Sequence, residues 1–274
     1  MKLCVRDVSR LLAMCAVLTA LSPVHAQDND GIQTRLSFGI GPEWLSYEER
    51  VSESDIRSSA TVQNFVLGFE GVKRWKSVFC GMRGVIPLSH GHDQEEWTVS
   101  GTLFQTDRLE YGWIRISGYL GLPLFPLLNP YIGLRYSNGR QERSEIIAWG
   151  IPHASANETV EALHGALGLQ GNFRFGGKWH LGYSIEGLLP VYVDVTNNVI
   201  PGWGVSSAGG YGMVARGEVA YELTPHVSIT FTLYGGRTHW NGSGWEPFSG
   251  GFARWPENNT DYGGGLFGIA WAFI

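Results

Sequence analysis

Residues 263–274 read GGGLFGIAWAFI, and their alternation decides the fold. Phe267, Ile269, Trp271 and Phe273 share one parity, while Gly268, Ala270 and Ala272 hold the other. Residues two apart point to the same face of a strand, so one face of this segment is bulky and apolar and the other is small. In a water-soluble sheet a bulky face meets a protein core. In a membrane barrel it meets lipid.

Nine further segments upstream carry the same alternation, at 34–44, 64–72, 78–86, 111–122, 131–137, 163–175, 179–188, 211–222 and 227–236. In VSITFTLYGG, Val227, Ile229, Phe231 and Leu233 oppose Ser228, Thr230 and Thr232. In YIGLRYS, Ile132, Leu134 and Tyr136 oppose Gly133 and Arg135. Every mid-strand charge falls on the small or polar parity. A soluble sandwich sends charges to water and apolar residues inward, the reverse of this pattern.

Short connections at 73–77, 123–130, 176–178 and 224–226 alternate with long polar ones at 46–59, 89–107, 145–159, 196–210 and 240–261. Short periplasmic turns and long external loops are the plan of a transmembrane barrel, and an even strand count returns both termini to the periplasmic side. The expected fold is therefore all-β: a transmembrane antiparallel up-and-down β-barrel of ten strands, forming a single domain over residues 27–274. Trp75, Trp179, Tyr131 and Tyr221 border the short turns and are expected to form one rim of an aromatic girdle. Trp97, Trp149, Trp203, Trp240, Trp245 and Trp255 fall in the long connections, where they are expected to be exposed to a partner, to lipopolysaccharide or to the outer membrane interface.

The N-terminus agrees with export. Lys2, Arg6 and Arg10 precede the apolar run LLAMCAVLTALSPVHA, with Val24 and Ala26 small enough for a cleavage site, so residues 1–26 read as a signal peptide. The run is short for a helical span of ~20 apolar residues, and Pro23 interrupts it. Cleavage leaves Cys80 as the only cysteine and excludes an internal disulfide. The formal net charge of −5 gives no basic surface for nucleic acid.

The inward parity carries Arg35, Arg83, Arg115, Arg135 and Arg216 beside Glu70, Glu186 and Glu218, with His164 and His180. Mixed charges at close quarters imply ion pairs that fill the lumen. A ring of ten strands is little wider than one of ~8, whose side chains already fill the interior, so an open porin is not expected.

The C-terminal GIAWAF resembles the signal read by the barrel-assembly machinery, a Gly followed by two alternating aromatics, although Ile274 follows the last of them. At the level of architecture the chain resembles the omptins, ten-stranded outer-membrane proteases. LEYGWIRISGYLGLPLFPLLNPYIGLRYS (109–137) is similar to the omptin central hairpin, and VARGEVAYELTPHVSITFTLYGGRTHW (214–240) to the eighth and ninth strands. The resemblance implies an acidic pair on the second external loop facing an Asp–His couple on the fourth. DQEEW matches the first element, so Asp93 and Glu95 are the candidate catalytic acids, with Glu95 in place of the usual Asp. The fourth loop supplies Asp194, Thr196, Asn197 and Asn198 and no His, which leaves His90 or His92 as the alternative base. Three functions follow: a non-enzymatic surface barrel, an omptin-like endopeptidase, or a narrow solute channel. The expected partners are outer-membrane lipid, lipopolysaccharide and, during biogenesis, the assembly machinery. Neither a cofactor nor a metal is expected.

Overall fold

The computed structural model describes residues 33–273, apart from 126, 201–202, 206–208 and 249. The leader at 1–26 and Ile274 lie outside the described residues. Ten antiparallel strands form a closed ring. They are Gln33–Val51, Ile56–Arg74, a third in two segments (Phe79–Ser89 and His92–Val99), Thr102–Gly121, Asn129–Ala148, Ala156–Phe175, Trp179–Asn197, Gly210–Thr224, Val227–Trp240 and Glu257–Phe273. Each pairs with its neighbours in sequence, and the first pairs with the tenth from Thr34↔Phe273 to Arg50↔Glu257. Closure satisfies the edge that hydrocarbon would otherwise leave unpaired.

The C-terminal alternation makes this seam possible. Phe267 and Ile269 face outward, while a Cβ on Gly268 would lie 2.0 Å from the Phe38 carbonyl oxygen of the first strand. The outward belt includes Leu36, Phe38 and Ile40 on the first strand, Ile132 and Leu134 on the fifth and Leu167 on the sixth, the last 68% exposed. With no water in the hydrocarbon, this exposure is the stable arrangement.

Above the belt the polarity inverts. On the first strand the outward residues become Ser46, Glu48 and Arg50, while Leu45 and Tyr47 turn inward and are buried. They pack with Ala60, Val62, Leu109, Tyr111, Trp113 and Tyr262 into an ordinary protein core inside the external half of the barrel. The wall therefore rises into water with its apolar residues inside, as a soluble sheet does.

This inversion corrects the expected loops. The stretches 46–59 and 89–107 are mostly strand, closed by a turn at Ser52–Ser54 and by Ser100–Gly101. Ser100 and Gly101 both have positive φ, 49° and 76°, as a two-residue hairpin turn requires. The connections after Asn197 and Trp240 remain long. Two sets of aromatics are also placed differently. Tyr131 shares parity with Arg135, not with Ile132, so it leaves the girdle for a buried lumen cluster with Phe79 and Tyr119. Trp203, Trp240 and Trp255 are buried together with Val193 and Val195. Trp97 is half-buried, and Trp149 and Trp245 are exposed.

Candidate functional site

The lumen is built in layers. At its short-turn end lies a polar vestibule of about 720 Å³, bordered by Arg35, Glu70, Arg174, His180, Arg216 and Glu218. Arg35 pairs with Glu218 at 2.5 Å and Arg216 with Glu70 at 3.1 Å, while Tyr119 donates to Glu70 at 3.0 Å. His180 and Arg174 share Glu222, at 3.4 and 2.6 Å.

The next layer fills much of the lumen. Arg83 donates to Glu186 and to the Tyr131 hydroxyl, both at 2.7 Å, and Arg135 meets the other Glu186 oxygen at 2.8 Å. Arg135 also donates to Ser117 and to the Tyr262 hydroxyl. Above it Arg115 pairs with Glu43, which accepts from Tyr234 as well, and the guanidinium lies 4.2 Å from the Tyr262 ring centroid. The space left at this level is about 50 Å³, room for a few waters. Charges so deep persist because each is paired and hydrogen-bonded. The charged residues of the sequence network are thus brought together as ion pairs, with Glu43 added, whereas His164 stands apart, buried with its ring 5.3 Å from that of Trp240. Glu43 continues the inward parity of Arg35, Ser37 and Gly39, which is the signal that identifies it.

The external half holds a second cluster, beyond the lipid-facing belt. Glu95 is fully buried, accepting from Arg143 Nε at 2.6 Å and from Ser58 Oγ at 2.7 Å. Arg143 also reaches Glu49 at 3.4 Å, and Glu49 accepts from the Tyr47 hydroxyl. Asp107 accepts from Trp97 and Gln105, and Glu158 from Trp255. Four carboxyl groups thus surround one guanidinium. Burial lifts the Glu49 carboxyl to about 8 against the opposing pull of Arg143, and burial with Glu95 nearby lifts Asp107 to about 7. Burial acts the same way on Glu95, but Arg143 outweighs it and holds that carboxyl below its ordinary range. Of the charged residues in this cluster the sequence marks only Glu95. The others lie where the outward apolar pattern has ended.

Asp93 has a different task. The third strand breaks between Ser89 and His92, and there the Asp93 carboxylate accepts from the Thr61 backbone amide at 2.8 Å. Asn64 bridges the same break, accepting from Gly91 N and donating to the Tyr111 carbonyl. A Cβ on Gly91 would fall 1.9 Å from the Gln63 carbonyl oxygen, so the chain passes only as glycine. His92 bonds Arg108, and the His90 ring lies over Gly112. Asp194 pairs in register with Glu161, the neighbouring outward position on the sixth strand.

No family model and no curated protein matches the chain. Among solved structures, the crystal structure of the outer membrane protease OmpT from Escherichia coli is similar to it with a TM-score of 0.64 at 11% identity, covering 92% of this chain and 100% of that one. The translocator domain of the autotransporter NalP from Neisseria meningitidis covers 98% of each chain at 10% identity, with a TM-score of 0.36. The architecture is that of an omptin-like outer-membrane β-barrel.

Proposed function

We propose that the chain is an exported outer-membrane barrel that neither cuts peptides nor conducts solutes, and that acts through its raised external hairpins as a binding surface. The leader is cleaved after Ala26, and the barrel stands in the outer membrane with its short turns in the periplasm. The observation that carries the reading is the employment of the two candidate acids. Glu95 is enclosed by Arg143 and Ser58, and Asp93 completes the backbone hydrogen bonding of a broken strand. A hydrolytic pair needs carboxylates that face a shared water and a base within reach of it. Layers of ion pairs between the vestibule and the external core support a closed lumen.

The external tips offer contact instead. Trp149, 70% exposed, stacks on Phe104 with centroids 5.4 Å apart, beside exposed Leu103, Ile147 and Ile151. Outward polar residues such as Arg108 and Glu110 separate this patch from the lipid belt, so its aromatics face water and whatever binds there.

Purified protein reconstituted with lipopolysaccharide and incubated with dibasic peptides is expected to leave them intact beside an active omptin control. Cleavage abolished by Glu95→Gln would overturn the reading. In planar bilayers the same protein is expected to give no steady conductance, and a stable open level would restore the channel.

A further inference from the structure

The chain contains four lysines, Lys2 in the leader and Lys73, Lys76 and Lys178 after it. Those three all lie at short turns on one rim of the barrel, the periplasmic rim in the outer-membrane reading above, on which the inference rests. Lys73 is an outward position at the end of the second strand, in register between Thr34 and Cys80, with Nζ 5.3 Å from the Trp75 ring centroid. Lys178 precedes Trp179 in the third short turn, its Nζ 5.9 Å from the Tyr221 ring, and Trp179 packs on Tyr221 at 4.8 Å. Each ammonium therefore stands beside an interfacial aromatic.

Carboxylates are distributed the opposite way. Among the described residues the outward acids, such as Glu48, Glu110, Glu142 and Asp261, belong to the external half. The acids at the periplasmic end, Glu70, Glu218 and Glu222, border the vestibule and are held by Arg216, Arg35 and Arg174. The outward periplasmic rim is thus cationic and aromatic. A lysine there lays its methylenes along apolar surface and carries its charge to the phosphate layer.

A second feature of the same rim meets the acyl chains. Leu122, Leu124, Phe125, Leu127 and Leu128 in the second short turn are all exposed. Tyr183 holds the turn by donating to the Leu127 carbonyl across Gly171, where a Cβ would come within 2.6 Å of that oxygen. Leu127 thus lies against the outward wall on the strand that carries the exposed Phe173 and Phe175, while Leu124 and Phe125 also border the mouth of the vestibule.

We propose that the periplasmic rim is a binding surface for anionic phospholipid, with Lys73 and Lys178 taking the headgroup phosphate and the Leu122–Leu128 turn the acyl chains. Attraction of a lysine to an anionic lipid surface corresponds to roughly fivefold in association per residue.

The test uses the mature protein in phosphatidylcholine nanodiscs with trace spin-labelled phosphatidylglycerol or spin-labelled phosphatidylcholine, reading the motionally restricted fraction by electron paramagnetic resonance. Phosphatidylglycerol is expected to associate severalfold more strongly than phosphatidylcholine. The preference should fall severalfold in Lys73→Gln/Lys178→Gln, which keeps Lys76, and persist in Lys73→Arg/Lys178→Arg and in the external control Arg140→Gln. Equal association of the two lipids, or an unchanged preference in the glutamine variant, overturns the proposal. Circular dichroism and heat-modifiable gel mobility of the same samples report insertion separately. A chain that stays outside the bilayer refutes the outer-membrane reading instead.

Discussion

Replacing Arg143 by Met removes the one cation among Glu49, Glu95, Asp107 and Glu158 while keeping an apolar stem of similar length. In the native cluster the guanidinium lies 2.6 Å from Glu95 and 3.4 Å from Glu49, with its carbon 5.4 Å from the Trp97 ring centroid. Removing one partner of a buried pair costs about 3–5 kcal/mol, because the other charge stays behind uncompensated. Glu95 can avoid part of this by taking a proton. Its ordinary value is 4.5, and each unit of pH above it adds about 1.36 kcal/mol to that escape. At pH 7 the loss is therefore about 3 kcal/mol, and at pH 5 it falls below about 1 kcal/mol. Urea unfolding from lipid vesicles, followed by tryptophan fluorescence at the two pH values, measures the difference. Arg143→Met/Glu95→Gln should recover most of the loss at pH 7, since the stranded charge is gone. A loss of the same size at both pH values, or one under about 1 kcal/mol at pH 7, would refute the assignment of Arg143 as the counter-charge of Glu95.

Three further perturbations test other levels of the structure. Gly268→Ala pushes a methyl against the Phe38 carbonyl at the closing seam and should abolish the folded, heat-modifiable band, whereas Gly217→Ala, with nothing within 4 Å of its Cβ, should retain it. Glu49 and Asp107 bind protons more tightly when folded, so wild-type stability should fall as pH rises from their ordinary values of 4.5 and 3.8 through about 8 and about 7. Glu49→Gln should flatten the upper part of that decline, and an unchanged slope in the same urea titrations would count against its burial as a neutral acid. Glu43→Ala/Arg115→Ala empties the layer above Arg83 and should raise solute leakage in liposome swelling; no increase would mean that the Arg83–Glu186–Arg135 layer closes the lumen alone.

The ten strands are legible in the sequence because hydrocarbon leaves no compromise: a residue in the belt faces lipid or lumen, and parity assigns it. The lumen charges follow from the same rule, since Arg35, Arg83, Arg115, Arg135 and Arg216 all sit opposite the bulky parity. The external half was lost to that reading because its solvent changes. From Ser46 onward the outward residues must suit water, so the apolar parity moves inside with Leu45 and Tyr47. A strand of inverted polarity resembles a polar loop when only outward apolar residues are counted. Glu49, Asp107, Arg143 and Glu158 were hidden for that reason.

By itself, then, the amino-acid order determined which face of each strand meets lipid, how many strands there are and at which end the short turns lie, because these depend only on neighbours two residues apart and on local turn chemistry. It did not determine partners across the lumen. Arg83 and Glu186 meet at 2.7 Å although 103 positions separate them, and Arg35 reaches Glu218 across 183. Those meetings depend on how the closed ring staggers its strands, a property of the whole sheet, and the same stagger sets Glu95 against Arg143 instead of leaving it open to a substrate.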